Sequence, residues 1–422
     1  MICKIEKSKI SGKIICPPNK SYTHRAIFLA SLAKGKSVIE NVLYSADTNA
    51  TISACKNFGA NIIQEETRIT VENSNKIQLK PCSIDAANSG TTIRIASAIA
   101  SLIDGKSLLT GDESLRKRPM QPLLKALESI GATCTATNGN PPVSIMGRIR
   151  GGEVTIPSNI SSQFLSALMI AAPLTEKGII LNIEGDLVSK PYLDATIAMM
   201  KKFGVDVETN IPYKKYRISP QDYKSTNFVV PADFSSLALL LSAAVLTGDD
   251  LQIQATLNDL PQADKLFIDI LKELAVDVRI NDDVFRVKTP KSLRGGRFDL
   301  SNNPDLLPPL AILALKTSKP IDIFNVRHAR YKETDRIAIV VKELQKLGLR
   351  IVEKQDGLVL EGTNIIKGAA LNSENDHRLF MAFCIAGMYV GSCTVSDLES
   401  VKVSYPDFIS DMKSVGAKIQ TP

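Results

Sequence analysis

Two kinds of apolar stretch alternate along the chain. In the first kind nearly every position is apolar or small, as in RAIFLASLA, TIRIASAIA, FLSALMIAAPL, SSLALLLSAAVL, LLPPLAILAL and RLFMAFCIAG. Apolarity all round the helical circumference predicts a helix buried on every side. In the second kind the apolar positions recur at helical spacing, stop at a turn, and give way to a short β-like run: KNFGANI, LESIGATC, MKKFGVDV, KELAVDVRI, QKLGLRIV and MKSVGAKI. Such segments predict amphipathic helices, each leading into a strand.

The two kinds belong to one repeating unit. The turn residues are Gly59, Gly131, Gly204, Ala275, Gly348 and Gly416, spaced 68 to 73 residues apart, so six copies account for the chain. Each copy reads as a β-like run, a cluster of Pro, Asn, Ser or Asp, the apolar helix, a further β-like run, and the amphipathic helix with its turn. The polar cluster fits a helix N-cap, and the turn glycine fits the left-handed residue that closes a helix. Between the third and fourth copies, residues 208–227 are polar, carry Pro212 and Pro220, and lack a helical period. A boundary there leaves three copies on either side, and 422 residues suit two domains better than one.

Composition narrows the function. A hydrophobic share of 44% fills two cores, and a net charge of +7 favours anionic partners without choosing among metabolites, nucleic acid and membrane surface. Aromatics make up only 5%, with no Trp, and the basic residues of interest sit singly at helix starts, which argues against nucleic acid. Seven cysteines, never closer than nine positions, and three histidines without an H-E-x-x-H pattern give no reason to expect a disulfide framework, a metal or another cofactor. No apolar run reaches the length of a membrane span and the first residues lack the features of a signal peptide, so a cytoplasmic protein is expected. Gly35-Lys36-Ser37 and Gly105-Lys106-Ser107 lack the first glycine of a phosphate-binding loop and read as repeat turns.

The clusters at the helix starts are decorated unequally. The first holds Asn19-Lys20-Ser21 with Arg25 one turn on, the second Asn88-Ser89-Gly90-Thr91 with Arg94, and the third Ser161-Ser162-Gln163. The fifth holds Asn303-Pro304-Asp305 and the sixth Asn375-Asp376-His377-Arg378; nearby loops add Arg118, Ser189, Tyr192, Lys332, Glu333 and Arg336. Helix starts carry unpaired N–H groups, and guanidiniums recognise carboxylate and phosphate in bidentate fashion, so together they suit small, multiply anionic ligands. Taken singly, Lys20 and Arg25 read first as surface charges, Asp305 as a helix cap, and KETDR as a solvated helix start.

Eight motifs in order, P-x-N-K-S-x-x-x-R, N-S-G-T-x-x-R, R-K-R-P-M, S-S-Q-F, V-S-K-P-Y, K-E-T-D-R, N-D-H-R and S-Y-P-D, span nearly the whole chain. In these the sequence resembles the 5-enolpyruvylshikimate-3-phosphate (EPSP) synthase family. The resemblance implies an α/β (α+β) enolpyruvyl transferase fold: a two-domain inside-out αβ barrel of six βαβαββ repeats, three per domain. The first domain is expected over residues 14–228 and the second over 1–13 plus 229–422, completed by the N-terminal strand. It implies transfer of an enolpyruvyl group from phosphoenolpyruvate to shikimate 3-phosphate by a monomer without a cofactor, metal, nucleic acid or membrane partner. Lys20, Ser21, Arg25, Ser161, Ser162, Gln163, Ser189, Asp305 and Lys332 would hold shikimate 3-phosphate. Lys20, Gly90, Arg118, Gln163, Arg336 and Arg378 would hold phosphoenolpyruvate, or glyphosate, which mimics it. Asp305, Glu333 and Lys20 would be catalytic.

Two positions depart from the family pattern: Val403 stands where a lysine is common, with Lys402 one position earlier, and His328 stands where Asn is common. A sister family adds enolpyruvate to a UDP-aminosugar and usually carries a cysteine before its R-P motif. Residues 111–120 hold none, and K-E-T-D-R belongs to the shikimate enzymes.

Overall fold

The computed structural model describes residues 1–73, 78–157, 161–185, 187–362 and 365–422. Within them the α-helices fall into six pairs: α1 (Lys20–Leu32) with α2 (Ala46–Phe58), α3 (Gly90–Ala100) with α4 (Gln121–Ser129), and α5 (Ser162–Ala171) with α6 (Lys190–Lys202). Then come α7 (Phe234–Thr247) with α8 (Leu266–Glu273), α9 (Leu307–Leu313) with α10 (Arg336–Lys346), and α11 (His377–Val390) with α12 (Phe408–Ser414). The odd-numbered helices are the apolar ones, and every residue of α7 is buried. The even-numbered helices bury one face: α4 hides Leu123, Leu124, Ala126 and Leu127 while Lys125 and Glu128 face water. Helix α9 is short because Pro308 and Pro309 confine it, being tolerable only in a first turn. No helix among the described residues is long and apolar enough to cross a membrane.

Each pair belongs with a four-stranded sheet of constant plan. In the second, third and fifth repeats the strand before the odd helix runs parallel to the strand after it, and an antiparallel hairpin completes the sheet, as in the order Ser83–Asp85, Lys106–Thr110, Asn140–Met146, Thr133–Thr137. The first and fourth repeats exchange a strand. Ile10–Ile15, just before α1, pairs with Gly248–Gln254 after α7, and Asn227–Val229, just before α7, pairs with Gly35–Glu40 after α1. In the sixth sheet Ile2–Ile5 lies antiparallel between Cys393–Ser396 and Ile419–Gln420.

The chain divides into two compact units. One comprises Pro18–Pro231 with Asp259–Gln262; the other comprises Met1–Pro17, Ala232–Asn258 and Ala263–Pro422. Each has its own hydrophobic core. These limits lie a few residues beyond those expected from sequence, because the exchanged ladders run further: the Cys16 amide donates to Gln254 O and the Val230 amide to Glu40 O. The polar stretch 208–227 is not a bare linker. Glu208–Ile211 and Lys215–Ile218 form the hairpin of the third sheet, and the first of these strands is exposed at all four residues, which hides its β character in the sequence.

The six repeat turns share one backbone conformation. Gly59, Gly131, Gly204, Gly348 and Gly416 have φ of 111°, 116°, 77°, 105° and 104°, and Ala275 has φ of 68°. Only Ala275 carries a Cβ into the left-handed region, at a cost that glycine avoids. Ala275→Gly is expected to stabilise the unit that contains it by about 0.5–1 kcal/mol, read as a higher urea midpoint.

Candidate active site

In the unit that begins at Pro18, the starts of five helices meet. Asn19 caps α1 by accepting the Tyr22 amide, and its Nδ2 donates to Gln262 Oε1 at 2.7 Å. Lys20, the first residue of α1, pairs through Nζ with Oδ2 of Asp47, a buried carboxylate in the first turn of α2, at 2.9 Å. Arg25, one turn into α1, is buried and reaches the start of α6: Nε donates to Thr196 Oγ1 at 2.9 Å and Nη2 to Tyr192 O at 3.0 Å, while Nη1 donates to Ser21 O and Oγ. Burial pushes its guanidinium down to about 10, so it remains charged at neutral pH. Ser189, which precedes α6, stands in the left-handed region with φ of 58° and makes no side-chain cap bond.

The starts of α3 and α5 join this group. Ser89 caps α3 and Ser161 caps α5. Gln163 Nε2 donates to Thr91 Oγ1 at 3.2 Å, and its Oε1 accepts from Arg94 Nη1, whose guanidinium lies over the Phe164 ring. Ser162 is buried beside the cap. Arg118 is held by Asn88, whose backbone oxygen accepts from Nη1 and whose Oδ1 accepts from Nη2 at 2.8 Å, and by Ser114 Oγ. Gly90 sits among these groups: a Cβ there would lie 2.8 Å from Arg94 Nη1, 3.4 Å from Gln163 Oε1 and 3.5 Å from Arg118 Nη1.

Beneath them runs a buried hydroxyl chain that the motifs do not reveal. His24 Nδ1 lies 2.7 Å from Thr51 Oγ1, Thr51 Oγ1 lies 2.6 Å from Thr92 Oγ1, and the Thr92 hydroxyl donates to Ser89 Oγ at 2.7 Å. If Thr92 gives its proton to Ser89, Thr51 must give its own to Thr92, and His24 donates through Nδ1. Burial, with Lys20 and Arg25 nearby, holds His24 well below the ordinary range and therefore neutral.

The other unit centres on Arg336, the first residue of α10, only 1% exposed. Its Nη1 donates to Asp305 Oδ1 at 2.6 Å, its Nη2 to Glu333 Oε2 at 2.7 Å, and its Nε to Asp376 Oδ2 at 2.7 Å. Asp305, in the turn before α9, also faces Lys332 Nζ at 3.7 Å and Arg378 Nη2 at 3.3 Å. Burial alone would raise the Asp305 carboxyl, but Arg378, Lys332 and Arg336 outweigh it and hold the group well below the usual carboxylate range. Asp376 caps α11 by accepting the Arg378 and Leu379 amides. His328 is pushed down to about 4 by burial and by Lys332.

The six-repeat architecture has counterparts. The sequence matches the family model for EPSP synthase (3-phosphoshikimate 1-carboxyvinyltransferase) over residues 5–412. The chain belongs to this family. A 3-phosphoshikimate 1-carboxyvinyltransferase of Nitrosopumilus maritimus is 65% identical over 420 residues and covers all of both chains. One of Methanosarcina mazei is 43% identical over 428 residues, covering 100% of this chain and 99% of the relative. An EPSP synthase structure from Acinetobacter baumannii superposes with a TM-score of 0.83 at 27% identity and 99% coverage of each chain. The enolpyruvyl transferase NikO from Streptomyces tendae, at 18% identity and a TM-score of 0.78 over 100% of this chain and 99% of that one, shares the fold. The enolpyruvyl transferase fold named from the motifs is therefore the fold of this EPSP synthase family member.

The residues picked out from the motifs fall into two groups, one per unit: Lys20, Ser21, Arg25, Gly90, Arg118, Ser161, Ser162, Gln163 and Ser189 in one, and Asp305, Lys332, Glu333, Arg336 and Arg378 in the other. Lys402 lies on the surface, paired with Glu399. The roles of Asp47 and Asp376 as partners of Lys20 and Arg336 escaped the sequence, although Asp376 stands inside N-D-H-R. Asp376→Ala would leave part of a buried guanidinium uncompensated and remove a helix cap. It is expected to destabilise its unit by about 3 kcal/mol or more in urea unfolding.

Proposed function

We propose that the residues gathered at the helix starts serve two substrates of one addition–elimination. The enzyme transfers the enolpyruvyl (1-carboxyvinyl) group of phosphoenolpyruvate to the 5-hydroxyl of shikimate 3-phosphate and releases phosphate, on the route to chorismate and the aromatic amino acids. Shikimate 3-phosphate is held by Lys20, Ser21, Arg25, Ser161, Ser162, Gln163, Ser189, Asp305 and Lys332. Phosphoenolpyruvate is held by Lys20, Gly90, Arg118, Gln163, Arg336 and Arg378.

Addition of an alcohol across an enol double bond requires that the hydroxyl lose a proton while the methylene carbon gains one, and elimination of phosphate then takes the proton back from carbon. Asp305 accepts the hydroxyl proton, Glu333 serves the methylene carbon, and Lys20 assists proton transfer. The observation that carries this reading is the shared hold of Arg336 on Asp305 and Glu333, which keeps both carboxylates close to one cation. An anion that draws Arg336 and Arg378 toward itself relaxes their hold on Asp305 and raises its proton affinity as the hydroxyl attacks. Arg378 is suited to this, because its Nη1 is buried without a hydrogen-bond partner among the described residues. No step calls for a metal or organic cofactor, and we take the working form to be a cytoplasmic monomer.

The test is phosphate release from the purified protein. It is expected only when phosphoenolpyruvate and shikimate 3-phosphate are both supplied; release with a UDP-aminosugar in place of shikimate 3-phosphate would overturn the reading. Asp305→Ala, Glu333→Ala and Lys20→Ala are each expected to lower kcat by about 10²-fold or more, the scale of a lost general acid or base. Gly90→Ala crowds the Arg94 guanidinium that bonds Gln163 and sets a methyl against Arg118, and is expected to raise the KM for phosphoenolpyruvate by about tenfold while changing kcat less, as steady-state kinetics would show.

A further inference from the structure

Lys20 and His24 stand one turn apart on one face of α1, and Asp47 and Thr51 stand one turn apart on one face of α2. The two helices therefore meet in two rungs: Lys20 Nζ lies 2.9 Å from Asp47 Oδ2, and His24 Nδ1 lies 2.7 Å from Thr51 Oγ1. The second rung continues into α3 through Thr92 Oγ1, 2.6 Å from Thr51 Oγ1, and ends at Ser89, the cap of the helix that Gly90 opens. Thr51, Thr92 and Ser89 are fully buried, and His24 is buried with them. The rungs differ in stiffness. A lysine ammonium rides on a flexible stem, so its place is set by what it pairs with, whereas a β-branched threonine has little freedom at χ1.

We propose that His24 is a positioning residue for Lys20. By donating to Thr51 it fixes the rotation of α2 against α1, hence the direction in which Asp47, one turn earlier, presents its carboxylate, and hence the place of the ammonium that meets the substrates. The proposal rests on the reading of Lys20 as a group that assists proton transfer. The other ring nitrogen points the same way. Nε2 is buried without a hydrogen-bond partner among the described residues, an unmet polar atom that a leucine in this place would not leave. Filling space therefore does not account for the imidazole, and its contribution lies at Nδ1.

The rung requires one tautomer. The Thr92 hydroxyl donates to Ser89, so Thr51 donates to Thr92 and its oxygen accepts from a neutral imidazole that carries its proton on Nδ1. The Thr92 hydroxyl also lies 3.5 Å from Asp47 O, which seats the start of α3 against the first turn of α2. The hydroxyls and the ring thus meet one another's needs in a place closed to water, where directional bonds hold side chains more firmly than apolar contact does.

The test is steady-state kinetics of His24→Leu, Thr51→Val and His24→Asn, each made also in the Lys20→Ala protein. Leucine and valine remove the bond, whereas asparagine sets its Nδ2 where the imidazole has Nδ1 and still donates to Thr51. His24→Leu and Thr51→Val are expected to lower kcat by about tenfold, with a smaller change in either KM, the scale of a displaced reacting group. His24→Asn is expected to recover most of that loss. In the Lys20→Ala protein no ammonium is left to misplace, and the same substitutions are expected to change kcat by less than about twofold. A merely structural rung would lower kcat by the same factor in both backgrounds. Native kcat in His24→Leu or Thr51→Val, or an undiminished loss in the Lys20→Ala protein, overturns the proposal. Nitrogen NMR of the native protein needs no folded variant: a neutral His24 protonated on Nδ1 is expected, and a proton on Nε2 overturns the proposal. Near-native turnover by Lys20→Ala itself would sink the reading of Lys20 instead, and the proposal with it.

Discussion

A guanidinium with 1% exposure is tolerable only if its charge and its N–H groups are matched, and Arg336 is matched by Asp305, Glu333 and Asp376. Those three contacts tie the turn before α9, the loop before α10 and the cap of α11 to one atom group. The geometry of the proposed base, Asp305, and of Glu333, proposed to exchange a proton with the methylene carbon, is thereby set by the same buried cation. Because the bonds are charge-assisted and directional, they fix side-chain positions as well as contribute energy. Lys20 and Asp47 form a smaller version of this pairing in the other unit.

The architecture explains why such charges collect where they do. Helices buried on every side have nowhere to place their unpaired N-terminal amides except among polar side chains. Asn19, Ser89, Ser161, Asp233 and Asp376 supply the acceptors. The repeat thus produces a row of positive helix ends in each unit, and arginines and lysines added at those ends give the unit its anion-binding character.

The parts of the fold governed by local polarity were legible in the sequence. All-round apolarity marked the odd helices, and the spaced turn residues marked the repeat; even Ala275 adopts the conformation of its glycine counterparts. The exchange of Ile10–Ile15 and Asn227–Val229 was not legible, because each strand sits beside its own repeat in sequence and only the ladder reveals its partner. In the site, Arg336, Arg378 and Asp305 stood out through motifs. The chain His24–Thr51–Thr92 did not, since its meaning lies in contacts between positions far apart along the chain.

The strand exchange imposes an order on biosynthesis. Residues 18–231 supply nearly all of one core, so that unit can close while the remainder is still being translated. Ile10–Ile15 emerges early yet has no ladder until Gly248–Gln254 follows, and Ile2–Ile5 waits for Cys393–Ser396 and Ile419–Gln420. Ile10 and Ile14 must therefore remain uncovered until Gly248–Gln254 has emerged, and Ile5 until Ile419–Gln420 has left the ribosome.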